Sequence, residues 1–180
     1  MMPKIMPCFR RDPWFPRTLR QRHTPHHHLW LNRKGSLTAR LRSATHHFQV
    51  KILFQGRRKA FPDEARLLTA HSRARVWTRE VLLCDGDHPL VFAHSVLPYN
   101  SLRGPWRKFT TLGNRPMGEK LFSTPSIHRG PLHFRKLPPI HPLRRSTQPY
   151  SSSVAPWARR SLFLDRTGPL LVTEIFLHLP

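Results

Sequence analysis

Five stretches of the chain have the apolar and polar pattern of β-strands. Because side chains along a strand point to opposite faces in turn, a period of two predicts a strand with a buried face. Short turns, CDGDHP (84–89) and a Thr-Gly pair (167–168), join two pairs of these stretches and predict antiparallel hairpins. The predicted strands are FQVKILF (48–54), VWTREVLLC (76–84), LVFAHSVLP (90–98), RRSLFLDR (159–166) and PLLVTEIFL (169–177).

Short helices are predicted between these strands. Ser36 can cap a helix in which the apolar residues Leu37 and Leu41 lie four positions apart. Strands in hairpins with a few short helices indicate an α+β domain built on an antiparallel sheet. The remaining predictions are a turn or short helix at 61–68, a short helix at 101–113 ended by Gly113, and another at 116–122 opened by Pro116.

Two segments show neither the period of two of a strand nor the apolar spacing of a helix. Residues 1–29 are basic and carry five prolines, which predicts a poorly ordered arm ahead of a single domain over 30–180. Residues 123–157 carry seven prolines among Ser, Arg and His, which predicts an extended surface loop. The His-rich tract at 23–28 is interpreted as a solvated polar tract rather than a metal site, because no Cys or carboxylate completes a ligand spacing.

Charge is the strongest feature of the composition. The formal net charge is +22, and residues 1–60 hold 14 Lys and Arg against one acidic residue. Basic Pro-rich segments bind phosphates, so a nucleic-acid-binding protein is an open alternative, although no recognition motif of that class is present. No apolar run is long enough for a membrane span, and two cysteines with no secretory signal indicate a reducing cytoplasm.

Two charged residues fall on apolar strand faces. Arg79 shares a face with Trp77, Val81 and Leu83, and both faces of the strand around Glu174 are mostly apolar. A buried charge needs a partner or a wet cavity, so the two groups either form internal ion pairs, for example with each other, or line a pocket. Such a pocket suits a small ligand with a carboxylate for the Arg fork and a hydroxyl for the Glu acceptor.

The chain resembles the chorismate pyruvate-lyase family, also called 4-hydroxybenzoate synthase. Five segments carry the resemblance in the family's order, over roughly residues 30–122 and 157–180. They are GSLTARL (35–41), WTREVLLC (77–84), LGNRPMGEKLF (112–122), WARRSL (157–162) and PLLVTEIFLHLP (169–180).

The resemblance implies a function and a site. The family eliminates pyruvate from chorismate to give 4-hydroxybenzoate, the first step of ubiquinone biosynthesis, with no metal and no organic cofactor. Its fold is a six-stranded antiparallel sheet with helices on one face and helical flaps over an internal site. In this chain Arg79 would bind the ring carboxylate, the backbone amides of Leu37 and Met117 would assist it, and Glu174 would take the ring hydroxyl. Arg79 and Glu174 are thus the candidate catalytic residues.

Two alternatives stay open beside the resemblance. Some relatives carry arginine where this chain has His94, so a second cationic contact to the dianionic substrate is open, with His94 also readable as an ordinary strand residue. Effector-binding domains of some transcription regulators share the lyase fold, which makes a ligand-sensing domain a further alternative. The chain is expected to act as a monomer on chorismate, without a specific nucleic-acid partner.

Overall fold

The computed structural model describes residues 14–16, 25–32, 35–68 and 75–180, and for residues 25–28 it describes the backbone alone. Its helices are α1 (Pro25–Asn32), α2 (Leu37–Ala44), α3 (Pro62–Leu68), α4 (Met117–Ser123) and α5 (Pro142–Thr147). Its strands are β1 (Phe48–Lys59), β2 (Arg75–Asp85), β3 (His88–Pro98), β4 (His128–Arg129), β5 (His133–Lys136), β6 (Trp157–Asp165) and β7 (Gly168–Phe176). Short 3₁₀ helices span Tyr99–Ser101, Gly104–Thr111 and Gln148–Tyr150.

The strands form one antiparallel sheet, which confirms the predicted α+β class. The order is β1-β2-β3-β7-β6-β4, and β5 also pairs with β6. All five predicted strands are present, and β4 and β5 bring the number to seven instead of about six. The hairpin β6–β7 turns at Arg166 and Thr167, and β7 begins at Gly168 with a φ of +138°. A Cβ at Gly168 would lie 2.3 Å from Ser101 Oγ, so this turn requires glycine on two grounds.

Helices and loops cover both faces of the sheet rather than one. On the first face, α1, α2, α4 and the 3₁₀ helix Gly104–Thr111 pack against apolar side chains such as Trp77, Leu83 and Leu97. On the second face, α3 and α5 pack against side chains such as Leu82 and Val96. The predicted pair Arg79 and Glu174 lies on the first face, which is therefore the face of interest for function.

The structure differs from the expectation for residues 123–157. This segment supplies β4, β5 and α5, and it buries Phe134, Leu137 and Leu143 in the core. The many prolines predicted an irregular loop. Strands of two and four residues are too short to show a period of two, so the sequence contained no sign of them. The segment is therefore part of the sheet's edge and of the second face.

The amino-terminal part also differs where the structure describes it. Trp14 is buried in the core of the second face, and Phe15 forms a β-bridge with Phe134. Helix α1 begins at Pro25, ahead of the expected domain start at residue 30. Residues 1–13 and 17–24, and the side chains of 26–28, lie outside the described residues, so the arm and the His-rich tract remain predictions. No helix in the described ranges is long and apolar enough to cross a membrane.

Candidate active site

A cavity lies between the first face of the sheet and helices α2 and α4. The centre of a water molecule can reach about 50 Å³ of space inside this cavity. A single water needs roughly 10–15 Å³ of such space, so the cavity is several times larger than one water requires. Apolar side chains from five strands form most of its floor, and helices α2 and α4 form its roof. Its lining includes Gly35, Leu37, Thr38, Arg79, Val81, Ala93, Ser95, Met117, Gly118, Phe122, Arg129, Ser161, Phe163, Val172 and Glu174.

Arg79 enters this cavity from β2 and is only 2% exposed. Its Nη1 donates to Oε1 of Gln55, its cross-strand neighbour on β1, at 2.6 Å. Its Nη2 donates to the carbonyl oxygens of Gly113 at 2.7 Å and Arg115 at 3.4 Å. These acceptors are neutral, and burial lowers the pKa of the guanidinium. Arg79 is thus a fixed, desolvated cation whose charge no carboxylate among these partners neutralises.

Glu174 enters the same cavity from β7. Alternation along the strand and the pairs Val81–Ala93 and Ala93–Glu174 place it on the face that Arg79 occupies. Its side chain is 16% exposed, and Oε2 accepts a hydrogen bond from Arg159 Nε at 2.5 Å. Internal pairing, which the sequence left open, therefore occurs for Glu174 with Arg159 and not with Arg79. The two predicted residues share the cavity without bonding each other.

Leu37 and Met117 occupy equivalent positions in the roof. Leu37 is the first residue of α2 and Met117 is the first residue of α4, and both line the cavity. The N–H groups of a first helical turn have no acceptor inside their own helix. Ser36 caps α2 as predicted, by accepting from the amide of Ala39 at 3.2 Å. The backbone amides of Leu37 and Met117 therefore lie at the roof of the cavity without an acceptor inside their own helices.

Sequence reasoning missed two arginines at this site. Arg129 of β4 lines the cavity, where its Nε donates to Ser161 Oγ at 2.9 Å. Arg159 of β6 is fully buried and, besides binding Glu174, donates to the carbonyl oxygens of Trp30 and Leu31. The segment WARRSL contained a signal for Arg159, because an arginine that alternates with buried strand residues needs an internal acceptor. Arg129 had no such signal, since its strand has two residues.

His94 does not belong to this cavity. It lies on the second face, where Nε2 is 2.9 Å from Glu64 Oε1 and Nδ1 is 3.1 Å from Glu80 Oε1. Burial alone would lower its pKa, but the two carboxylates more than offset that effect and raise it to about 9. The buried imidazolium thus ties α3 to the sheet. The sequence left two interpretations of His94 open. Its position on the second face favours an ordinary strand residue over a second cation that contacts the substrate.

Comparison with known proteins finds relatives over most of the chain. A family model described as chorismate lyase matches residues 9–180. A protein of Nitrosomonas europaea named probable chorismate pyruvate-lyase is 43% identical over 152 residues, which cover 83% of this chain and 85% of that protein. One of the same name from Thiobacillus denitrificans is 42% identical over 164 residues, which cover 90% of this chain and 83% of that protein.

Solved structures share the fold at much lower identity. The ligand-binding domain of a GntR-family transcriptional regulator from Bordetella bronchiseptica is 17% identical, with a TM-score of 0.51 over 73% of this chain and 85% of that one. The effector domain of PhnF from Mycobacterium smegmatis is 11% identical, with a TM-score of 0.53 over 79% and 88%. At these identities the similarity establishes the fold alone.

Proposed function

Because the chain belongs to the chorismate lyase family, we propose that the cavity under α2 and α4 is its active site, where it eliminates pyruvate from chorismate to give 4-hydroxybenzoate. One observation carries this assignment. Arg79 and Glu174, from strands β2 and β7, line the same cavity and make no bond to each other. A cation and an acceptor are thus held apart, as a benzoate ring with a para hydroxyl requires.

In the proposed complex, Arg79 binds the ring carboxylate in two-point geometry, and the amides of Leu37 and Met117 assist it. Glu174 accepts a hydrogen bond from the ring hydroxyl. The bond from ring carbon to the enolpyruvyl oxygen then breaks, and its electron pair leaves with that oxygen. The neighbouring ring hydrogen leaves as a proton, its electron pair completes the aromatic ring, and enolpyruvate gains a proton to become pyruvate.

These residues suffice because the ring gains aromatic stability as the reaction proceeds. The protein has to orient the substrate, exclude water and stabilise developing negative charge on the departing group. The apolar floor of the cavity and the roof helices exclude water, while the arginines provide positive charge. Glu174 sits beside the carbon that carries the hydroxyl, where it orients the ring and is the candidate acceptor of the proton.

The test is a direct assay with chorismate in the presence of a metal chelator. We expect 4-hydroxybenzoate and pyruvate to appear in equal amounts, at a rate proportional to protein concentration. An Arg79→Gln variant purified in the same way controls for contaminating lyase and for spontaneous breakdown of chorismate. Equal rates with the two proteins, or pyruvate without 4-hydroxybenzoate, would contradict the proposed function.

We further propose that the chain acts in the cytoplasm as a monomer, without a specific nucleic-acid partner. Every group assigned a role above comes from one chain, so the site needs no second subunit. The buried Cys84 is a free thiol, which is compatible with a reducing compartment. Light scattering should give a mass near 21.2 kDa, and a mass twice as large would contradict the monomer.

A further inference from the structure

Arg129 is a second, partly buried cation at the cavity, and its bonded neighbours are neutral. Its Nε donates to Ser161 Oγ at 2.9 Å and its Nη1 donates to the Gly35 carbonyl oxygen at 3.3 Å. Its guanidinium also lies over the rings of Phe122 and Phe163, 5.5 and 5.6 Å from their centroids. These contacts fix the plane of the guanidinium against the cavity wall.

The two cations are placed at opposite sides of the cavity. Arg79 pairs with Ser95, Ser95 with Val172, and Val172 with Ser161, so these residues form one row across four strands. Three strand spacings of about 4.8 Å put the backbones of Arg79 and Ser161 about 14 Å apart. Arg129 is bonded to Ser161 at the far end of this row. Ligand groups between the two guanidiniums therefore meet one positive charge on each side.

The charges of the site match a ligand with two negative groups. Glu174 forms its salt bridge with Arg159. Within the described part of the chain, neither Arg79 nor Arg129 forms a salt bridge with a carboxylate. The four charged groups together have a formal charge of +2. Chorismate carries two carboxylates, on the ring and on the enolpyruvyl side chain, whereas 4-hydroxybenzoate carries one.

We propose that Arg129 binds the carboxylate of the enolpyruvyl side chain, the part of the substrate that leaves. This inference rests on the function proposed above, which places the ring carboxylate at Arg79 and the hydroxyl at Glu174. The enolpyruvyl group is attached next to the carbon with the hydroxyl, so it extends from the Glu174 end of the ring. Ser161, to which Arg129 is bonded, pairs with Val172, two residues from Glu174 along β7, which puts the Arg129 guanidinium toward that end.

The surroundings of Arg129 also suit a group that departs. A second, more open cavity of about 610 Å³ adjoins the first and shares Gly35, Phe122 and Arg129 with it. Arg129 therefore stands where the two cavities meet. In this position it holds the side chain during bond cleavage and faces the space into which pyruvate can leave.

Two synthetic ligands separate this role from general support of the pocket. The first, 3-(carboxymethoxy)-4-hydroxybenzoate, carries a second carboxylate on an ether arm at the position of the enolpyruvyl group. The second, 3-methoxy-4-hydroxybenzoate, has a neutral arm. Calorimetry would measure both affinities for the unaltered protein, Arg129→Gln and Arg129→Lys. The exposed turn residue Arg166 provides the matched control, Arg166→Gln.

The unaltered protein and Arg166→Gln should bind the dianionic ligand about tenfold or more tightly than the neutral-arm ligand. Arg129→Gln should lose this preference while its affinity for 4-hydroxybenzoate changes less than about threefold. If Arg129→Gln does not fold, Arg129→Lys, which keeps the charge but not the planar fork, should show an intermediate preference.

The proposal is overturned if the unaltered protein shows no preference, if the foldable Arg129 variant keeps it in full, or if that variant weakens all ligands equally. The outcome is separable from that of the proposed function. A protein that prefers the dianionic ligand through Arg129 but releases no pyruvate from chorismate would contradict the lyase assignment and leave the binding role intact.

Discussion

Arg79 is the residue on which ligand binding should depend most. It is a fully buried cation with neutral oxygen partners, so a bound carboxylate would be the first group of opposite charge to meet it. We expect Arg79→Gln to weaken 4-hydroxybenzoate binding about a hundredfold or more, because two charge-assisted hydrogen bonds are lost. Titration of the product by calorimetry checks this, with Arg75→Gln as control, since Arg75 is exposed on the same strand. Near-normal affinity in Arg79→Gln would remove this residue from the site.

Glu174 should affect both chemistry and stability. In Glu174→Gln the buried Arg159 loses its charged partner, so we expect a lower melting temperature together with loss of turnover. The control Glu119→Gln breaks an exposed pair with Arg42, where the cost should be below about 1 kcal/mol. Product affinity separates the two roles of Glu174. Retained binding with lost turnover indicates proton transfer, whereas equal losses indicate positioning alone.

His94 should make the stability of the protein depend on pH. Its pKa in the folded state is about 9, above the ordinary value of 6.5, because the effect of Glu64 and Glu80 exceeds that of burial. The stabilising contribution is therefore complete below pH 6.5 and is lost as the pH rises through 9. The rise of the His94 pKa from 6.5 to about 9 corresponds to about 3 kcal/mol of unfolding free energy.

Melting temperatures at pH 6.5 and 9.5 test this expectation. The unaltered protein and a control with the exposed His128 changed to Gln should lose stability between these values, and His94→Gln should lose much less. An equal loss in all three proteins would assign the pH dependence to other groups.

Residue identities allowed part of the site to be predicted. The period of two placed Arg79 and Glu174 on strand faces. The pairing of β3 with β7, which joins the two predicted hairpins, puts both residues on the same face of the sheet. The partner of Glu174 could not be predicted in the same way, because Arg159 and Arg160 are adjacent and both are buried. Which of them meets Glu174 depends on the register of β6 with β7, and that register is set by the turn at 166–167.

At the scale of elements, the contact between α2 and α4 forms the roof of the cavity. Gly118 permits a close approach, because a Cβ there would lie 2.9 Å from Thr38 Oγ1 and 3.1 Å from Ser36 Oγ. We expect Gly118→Ala to displace α4 and to weaken product binding about fivefold or more, from an overpacking cost of about 1–3 kcal/mol. Fluorescence titration with 4-hydroxybenzoate would measure the change in product affinity.

A compensating change tests the cause. Thr38→Ala removes the nearest obstructing atom, so the double variant Thr38→Ala/Gly118→Ala should bind more tightly than Gly118→Ala alone. If the single Gly118 variant binds normally, or if the second change gives no recovery, close packing of the two helices is not what the site requires.

Elements with a clear period could be predicted, and those without one could not. Strands β2, β3 and β7 are nine residues or longer and central, so their apolar pattern is long enough to read. Strands β4 and β5 exist because β6 presents an edge with which they pair. A short edge strand of this kind is defined by its partner more than by its own residues. The position of Arg129 at the cavity follows from that pairing.

At the scale of the whole molecule, the charge of +22 makes nucleic-acid binding the alternative to be tested, and salt dependence distinguishes it from lyase activity. Any binding to a random DNA duplex should be electrostatic and should fall steeply between 50 and 300 mM NaCl. Turnover of chorismate should change less than about threefold over the same range, because the cavity excludes the screening ions. Anisotropy of a labelled duplex and the pyruvate assay provide the two measurements. Duplex binding that persists at 300 mM NaCl would support a specific nucleic-acid partner.

The hydrogen bonds of Arg79 have a consequence for how tightly the protein can hold a small anion. Gln55 on the edge strand and the carbonyl oxygens of residues 113 and 115 fix both terminal nitrogens of the guanidinium. An arginine side chain loses about 2 kcal/mol of rotamer freedom when it is immobilised. In this protein that loss occurs during folding, so an arriving carboxylate meets a side chain that is already ordered, and its binding free energy is not reduced by the same entropy term.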